Sequence, residues 1–389
     1  MIQLHYYPSN ASLTPHLLLE ELGLPFELKL VDRGASAHKS PAYLKLNPNG
    51  LIPVLVEGDL VLYETAAILL HLADTQFGRY HDFERKGLTR ADRDHDRLAA
   101  RLLDDLDRLC GGRGAVPVPD LVVVAGDLAE WALPEEYAAV AAFLADLRRG
   151  LDLGPERLVL VPGNHDVNRK LSHAYVLREE GYGRLPQRPF WEKWAPYATM
   201  YREVTGRDFT EAQPWSLVEL PELGVAVAAL NSTMAESHLD ADHHGWLGEE
   251  QLRWFTRALA PARQAGWLRL GVVHHNPVRG ADVDDAHLKD VGRFTDLLGP
   301  SLHLVLHGHT HDARIHHLGP EALPVLAGGS AAVMASERPP GTPNQYQIVT
   351  IDDGGIQIFA RGYEPARSRW VGDTSISADG DDWRRRIKR

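Results

Sequence analysis

From residue 68 onward the chain repeats one pattern: a short apolar run ends in a turn crowded with polar side chains. Five segments follow it: ILLHLAD (68–74), LVVVAGD (121–127), LVLVPGNHD (158–166), LRLGVVHH (268–275) and LHLVLHGHTH (302–311). Apolar runs of this length, bounded by turn residues, predict strands buried on both faces. Helical stretches lie between some of them, for example 90–109 and 135–149. The pattern predicts an α/β sheet whose ligand site lies beyond the carboxyl ends of its strands.

Residues 1–67 read differently. A strand (IQLHYY), a polar turn (PSNAS), a helix (LTPHLLLEELG) and a second strand (FELKLVD) lead through a loop and helix to LNPNG. LIPVLVEG and LVLYE then predict a hairpin turning at Gly58-Asp59. The result is a small βαβ-type unit with an attached hairpin. Residues 366–389 are polar and end in Trp383 followed by RRRIKR, which predicts a solvated tail.

Composition narrows the picture. With 389 residues, 44% of them hydrophobic, the chain can build more than one domain. A net charge of -12, from 41 basic and 53 acidic residues, argues against a general nucleic-acid surface but not against a local cationic site. Cys110 is the single cysteine, which excludes an internal disulfide and a thiolate metal cluster. A reduced, cytoplasmic protein is expected. The N-terminus lacks a basic, apolar signal pattern, and no run reaches the ~18 apolar residues of a membrane span. Of 20 histidines, nine fall between His274 and His317, which favours metal binding.

Without thiolates, a hard or borderline dication takes carboxylate, imidazole and amide oxygen. The five strand ends offer that set: Asp74 and Gln76, Asp127, Asn164, His274, and His309 with His311. Alternation along an extended segment would put Asp74 and Gln76 on one side, and likewise His309 and His311. Seven donors suit two ions, which a carboxylate at Asp127 could bridge at about 3.5–4 Å. Taken singly, His275, His316 or His317 reads as an ordinary core or surface histidine. Glu130, just after the Gly126-Asp127 turn, either approaches the site or is a charge at a helix N-terminus. His243 and His244 lie in an acidic loop, AESHLDADHHGW, that is either plain surface or a wall of the substrate cleft.

The ordered set Asp74-Thr-Gln76, Gly126-Asp127, Gly163-Asn-His-Asp166, His274 and Gly308-His-Thr-His311 resembles the calcineurin-like metallophosphoesterases over residues 68–365. Asn231-Ser232 and HGWLGEEQLRWF (244–255) resemble its cyclic-nucleotide-phosphodiesterase-like members. The resemblance implies a four-layer α/β/β/α sandwich and hydrolysis of a phosphodiester or phosphomonoester. One ion would take Asp74, Gln76, Asp127 and His311; the other Asp127, Asn164, His274 and His309. A bridging hydroxide would attack phosphorus in line, His165 would assist the leaving group, and Asp166 would orient His165. Gln76 stands where the family usually has His, which favours a harder ion such as manganese among manganese, iron, zinc and magnesium. A small-molecule or nucleotide phosphoester is the expected substrate, with no membrane partner; the alternatives are a glutathione-binding module fused to an inert phosphoesterase fold, or a metal-dependent nuclease on DNA or RNA.

PSNASLTPH, NPNGLIPVL and LYETAAIL resemble the thioredoxin-like N-terminal half of glutathione S-transferases. That resemblance implies a cis Pro53, a glutathione site using Glu64 and Thr65, and a hydroxyl from Ser9 or Ser12; the Cys of some classes aligns with Ala11. The all-helical half of that family does not follow, so a glutathione-binding or vestigial module is expected rather than a transferase. The two resemblances compete for residues 68–74. One makes them a helix, the other the first ligand-bearing strand. A strand is expected, leaving the N-terminal unit without its last helix and with an apolar face.

Overall fold

The computed structural model describes residues 2–8, 12–47, 50, 52–58, 60–63, 67–78, 97–110, 116–278, 287–352, 355–376 and 382–387. Ser9, Ala11, Asp59, Glu64, Thr65 and the first part of the expected helix 90–109 lie outside them. The chain divides into two compact units, a small one formed mainly by residues 1–66 and a larger one from residue 67 on.

In the small unit, β1 (Ile2–Tyr6), α1 (Leu13–Glu21), β2 (Phe26–Leu30), α2 (Pro41–Leu44), β3 (Val54–Glu57) and β4 (Leu60–Tyr63) build a sheet of order β2-β1-β3-β4. β1 and β2 run parallel and the other pairs antiparallel. Leu4, Leu19, Val31, Tyr43 and Val54 are buried. The His16 ring meets Phe26 edge-on at 5.5 Å, joining α1 to the sheet. Leu13 and Leu17 on α1 and Leu28 and Leu30 on β2 are exposed. The Ile52–Pro53 peptide is cis, as the resemblance implied.

The large unit runs through β5 (Ala67–Leu72), α3 (Leu98–Cys110), β6 (Leu121–Val124), α4 (Pro134–Gly150), β7 (Leu158–Leu160), α5 (Arg169–Gly181), α6 (Ala195–Thr205), β8 (Ser216–Leu220) and β9 (Val225–Ala229). It continues through α7 (Glu249–Ala258), α8 (Ala260–Gln264), β10 (Leu268–Val273), α9 (Val291–Leu297), β11 (Leu304–His307), β12 (Ile315–Leu318) and β13 (Leu323–Ala327). It closes with β14 (Gln345–Asp352), β15 (Gly355–Glu364), β16 (Arg369–Gly372) and β17 (Arg384–Ile387). One sheet has the order β16-β15-β14-β5-β6-β7, with β17 also on β15; the other is β12-β13-β11-β10-β9-β8.

Each sheet carries helices on its outer face. Leu98, Leu102, Tyr137, Val140 and Tyr197 pack on Leu70, Leu72, Val122 and Val124 of the first sheet. Leu252, Phe255 and Phe294 pack on Ala226, Val273 and Val305 of the second. The inner faces meet: the Gln347 amide on β14 accepts from His71 Nδ1 at 3.2 Å and donates to the Ala327 carbonyl of the other sheet at 2.8 Å. This is the expected α/β/β/α arrangement.

Ile68 to Leu72 is strand. It pairs in parallel with β6 and antiparallel with β14. Helix α4 shows why its sequence folds locally. Pro134 opens it, Glu135 and Glu136 occupy its first turn, and the Glu136 carboxylate accepts from the Trp131 and Leu133 amides.

The expected tail is a correction. Residues 369–372 and 384–387 are edge strands on β15. Trp370 is buried against Tyr346, and Trp383 lies against Phe359 and the Arg361 guanidinium. An edge strand needs ladder bonds on one side only, so arginines there keep their charge in water. Among the described residues no helix is long and apolar enough to cross a membrane.

Candidate metal centre

β5, β6, β7, β10 and β11 are mutually parallel within their sheets, so their carboxyl ends share one edge. Asp74, Gln76, Asp127, Asn164 and His274 follow the first four and are buried, and His309 and His311, both partly exposed, follow the last. Simple strand alternation does not place them. Asp74, Gln76, Asp127, His309 and His311 have φ of 50°, 38°, 52°, 70° and 52°. Each sits in a left-handed turn just past its strand. The turns are pinned by the backbone: Asp74 N donates to Gly126 O at 3.0 Å and Gln76 N to Asp127 O at 2.8 Å. Left-handed backbone at a non-glycine residue costs on the order of 1–3 kcal/mol, and such strain gathers at functional sites.

The donor atoms converge. Asp127, His274 and His309 each offer an atom within 4.8 Å of the others. His274 Nε2 lies 3.0 Å from Asn164 Oδ1, 3.0 Å from His309 Nδ1 and 3.2 Å from Asp127 Oδ2. His311 Nε2 lies 3.3 Å from Asp74 Oδ1. The far nitrogens are spoken for: His274 Nδ1 donates to Ala125 O and His311 Nδ1 to Glu337 O, each at 2.8 Å. That is the way a ligating imidazole is oriented. Burial would raise the Asp127 carboxyl, but His274, His165 and His309 hold it well below the usual range. Burial opposes charge on His274 and His311, yet Asp127 and Asp74 hold each up to about 9.

The set fits divalent cations. Gln76 is buried with neither amide atom hydrogen-bonded, an arrangement that coordination would satisfy. The backbone makes room: a Cβ on Gly163 would fall 2.1 Å from Asp127 Oδ1, and one on Gly126 would fall 2.4 Å from His274 Nδ1.

His165 and Asp166 need a correction. The Asp166 carboxylate does not hold the His165 ring. It accepts from the amides of Gly163, Leu128 and Ala129 at 3.0–3.1 Å and from the Tyr137 hydroxyl at 3.0 Å. Burial and the nearby Asp127 push it up to about 7, against those amides. It ties the GNHD turn to the turn after β6. The His165 ring is oriented by Glu130: Nδ1 donates to the Glu130 carbonyl at 2.9 Å, and the Glu130 carboxylate lies 3.5 Å away. Burial opposes charge on His165, but Asp127 and Glu130 raise its pKa.

Glu130's carbonyl was illegible because any residue supplies one. Sequence also gave no signal for a second network. His275, read as ordinary, is buried and shares a 2.8 Å hydrogen bond with the Ser232 hydroxyl. Its ring centroid lies 4.8 Å from that of His309. The pattern joining Asn231 to HGWLGEEQ has a structural basis: the Gln251 side chain bonds both the Asn231 amide and its carbonyl.

In the small unit, the Ser12 hydroxyl donates to Tyr7 O at 2.8 Å and accepts from Tyr7 N at 3.2 Å, tying the start of α1 to the end of β1. Ser12 is buried. The cis Pro53 leads into β3.

A mixed α/β sandwich with carboxylate, amide and imidazole donors gathered at parallel strand ends defines a metal-centred hydrolase architecture. Comparison with known proteins gives the family. Residues 68–313, more than half of the chain, match the calcineurin-like phosphoesterase profile. The chain belongs to that family, whose members are hydrolases of phosphoric ester bonds. Residues 8–75 match the glutathione S-transferase N-terminal domain, so both matches claim residues 68–75. A glutathione S-transferase of Silene vulgaris is 37% identical over 103 residues, 26% of this chain and 45% of the relative. Glutathione S-transferase GST-4.5 of Xanthomonas campestris pv. campestris is 46% identical over 74 residues, 19% and 35% of the two chains. The chain thus spans less than half the length of these curated relatives. A dimetal phosphatase from Danio rerio superposes with a TM-score of 0.48 at 15% identity, over 78% of this chain and 98% of that one.

Proposed function

We propose that this chain is a dinuclear, metal-dependent phosphoesterase acting on a phosphodiester or phosphomonoester. The observation that carries this is the convergence of Asp127, Asn164, His274 and His309 around one buried point. Asp74, Gln76, Asp127 and His311 would hold one ion; Asp127, Asn164, His274 and His309 would hold the other. Bound ions of this kind polarise a phosphoryl oxygen and supply a water-derived nucleophile near neutral pH. The rest falls to the protein. Asp127 serves both halves and is steadied by the His165 amide, which donates to its Oδ1 at 2.8 Å. His165, fixed through Nδ1 by Glu130, presents Nε2 to the leaving oxygen as proton donor. Asp166 acts by holding the turn that carries Asn164 and His165.

The test is hydrolysis of bis(p-nitrophenyl) phosphate and p-nitrophenyl phosphate by manganese-loaded protein. His165→Ala is expected to lower kcat by about 10²–10⁴-fold with metal content unchanged. Undiminished turnover in that variant would overturn the assignment.

For the small unit we propose glutathione binding without transferase chemistry, supported by the match over residues 8–75 and the cis Pro53. Calorimetric titration should give an affinity that Glu64→Ala abolishes; no binding by the unaltered protein would end this proposal.

A further inference from the structure

A further buried carboxylate lies near the histidines proposed as ligands, and the proposed mechanism does not use it. Glu236 is 1% exposed. Its carboxylate lies 2.9 Å from His243 Nδ1 on one side and 3.8 Å from His275 Nε2 on the other. His275 in turn packs against the ligand His309. Glu236 therefore stands one imidazole away from the centre, with His243 beyond it. A buried carboxylate is costly unless paired, and here the pairing holds His243 in one orientation.

The loop bearing this pair is anchored. The Lys193 ammonium, itself buried, donates to the carbonyls of Thr233, Met234 and Glu236 at 2.6–3.1 Å. Arg169 binds Ser237 O and the Asp240 carboxylate, and Arg188 binds the Asp242 carboxylate. The Gly245 backbone lies on His275: a Cβ there would fall 2.6 Å from that residue's own. Beside it opens a cavity of about 500 Å³ lined by Arg188, Pro189, Met234, Asp242, His244 and Trp246. His243 precedes His244 of that lining, and its own side chain is 38% exposed. The Glu236 hydrogen bond favours its charged form, against burial.

We propose that His243, held through Nδ1 by Glu236, is a second substrate-facing imidazole, donating from Nε2 to an oxygen of the bound phosphoryl group. Glu236 is its positioning residue. The carboxylate consumes Nδ1–H and leaves Nε2 for the ligand, the division of labour of carboxylate–imidazole pairs at metal sites. The inference rests on the phosphoesterase assignment for its substrate, but phosphate binding can be read without turnover.

The experiment is calorimetric titration of inorganic phosphate into the metal-loaded full chain. His243→Gln should weaken phosphate binding about tenfold, the value of one charge-assisted hydrogen bond, with metal content and Tm unchanged. Glu236→Gln should lose much of the same affinity, and the double variant should fall no further than His243→Gln alone. Binding by His243→Gln within twofold of the unaltered protein overturns the proposal, as does additivity in the double variant. Should a variant fail to fold, carbethoxylation of the unaltered protein, read by mass spectrometry, decides. Phosphate should protect His243, and equal labelling with and without phosphate overturns the contact. Absence of turnover alongside intact phosphate binding would sink the phosphoesterase assignment and leave this contact standing.

Discussion

His274 Nε2 and His309 Nδ1 face each other at 3.0 Å in a buried pocket, with Asn164 Oδ1 and Asp127 Oδ2 at 3.0 and 3.2 Å from the same His274 nitrogen. Four acceptor atoms cannot share so small a space without a proton or a cation between them. A proton is held there by Asp127, against the effect of burial, with the His274 pKa raised to about 9. A divalent ion must displace it, so metal uptake near pH 7.5 should release protons and weaken as pH falls. Calorimetry in buffers of different ionisation enthalpy should give a net release that His274→Ala diminishes; a buffer-independent heat would contradict this.

Gly163 gives a steric test. Its Cβ would lie 2.1 Å from Asp127 Oδ1 and 2.5 Å from the Asp127 amide. Gly163→Ala should displace the Asp127 carboxylate and, if Asp127 is a ligand as proposed, lower metal affinity about 10–100-fold, the usual range for a group that orients a ligand. Competition with a chelator measures it.

Asp166 should matter chiefly for stability. Its carboxylate takes three amide donors and the Tyr137 hydroxyl. Tyr137→Phe should cost about 1 kcal/mol in urea unfolding and leave kcat close to that of the unaltered protein. A large loss of kcat without loss of stability would restore to Asp166 the direct hold on His165 that the geometry denies it.

The five apolar runs were legible because buried parallel strands need little but apolar side chains, and their loaded ends need polar ones. The proposed metal donors could be picked out because coordination restricts residue type. The reason for their placement was not: left-handed turns at Asp74, Gln76, Asp127, His309 and His311 replaced strand alternation, and no side-chain pattern marks φ. Orientation of His165 came from the Glu130 backbone, which carries no residue signature. The C-terminal strands were missed because an edge strand rich in arginine looks like a solvated tail until Trp370 and Trp383 are seen to anchor it. Periodicity could not choose between helix and strand for residues 68–74; pairing on both sides by β6 and β14 does.

The facing sheets hide two titratable rings. His71 and His307 are fully buried, and burial lowers their pKa values from 6.5 to about 4 and about 3. Both are neutral above pH 6.5 whether folded or not, so they leave stability unchanged there. Below it the unfolded chain takes up protons that the folded chain refuses. Stability should therefore fall as pH drops from 6.5 toward 4, by about 2 kcal/mol per ring at pH 5. Urea unfolding at pH 7.5 and 5 measures it, and His71→Gln should remove its share. An unchanged slope in that variant would contradict the buried neutral ring.

Elemental analysis of the purified protein tests the central claim most directly. The account predicts two divalent ions per chain, and marked loss of both in Asp127→Ala, because that carboxylate belongs to both sets of donors. A protein that retains no metal after loading, or an Asp127→Ala variant that keeps its full complement, would contradict it.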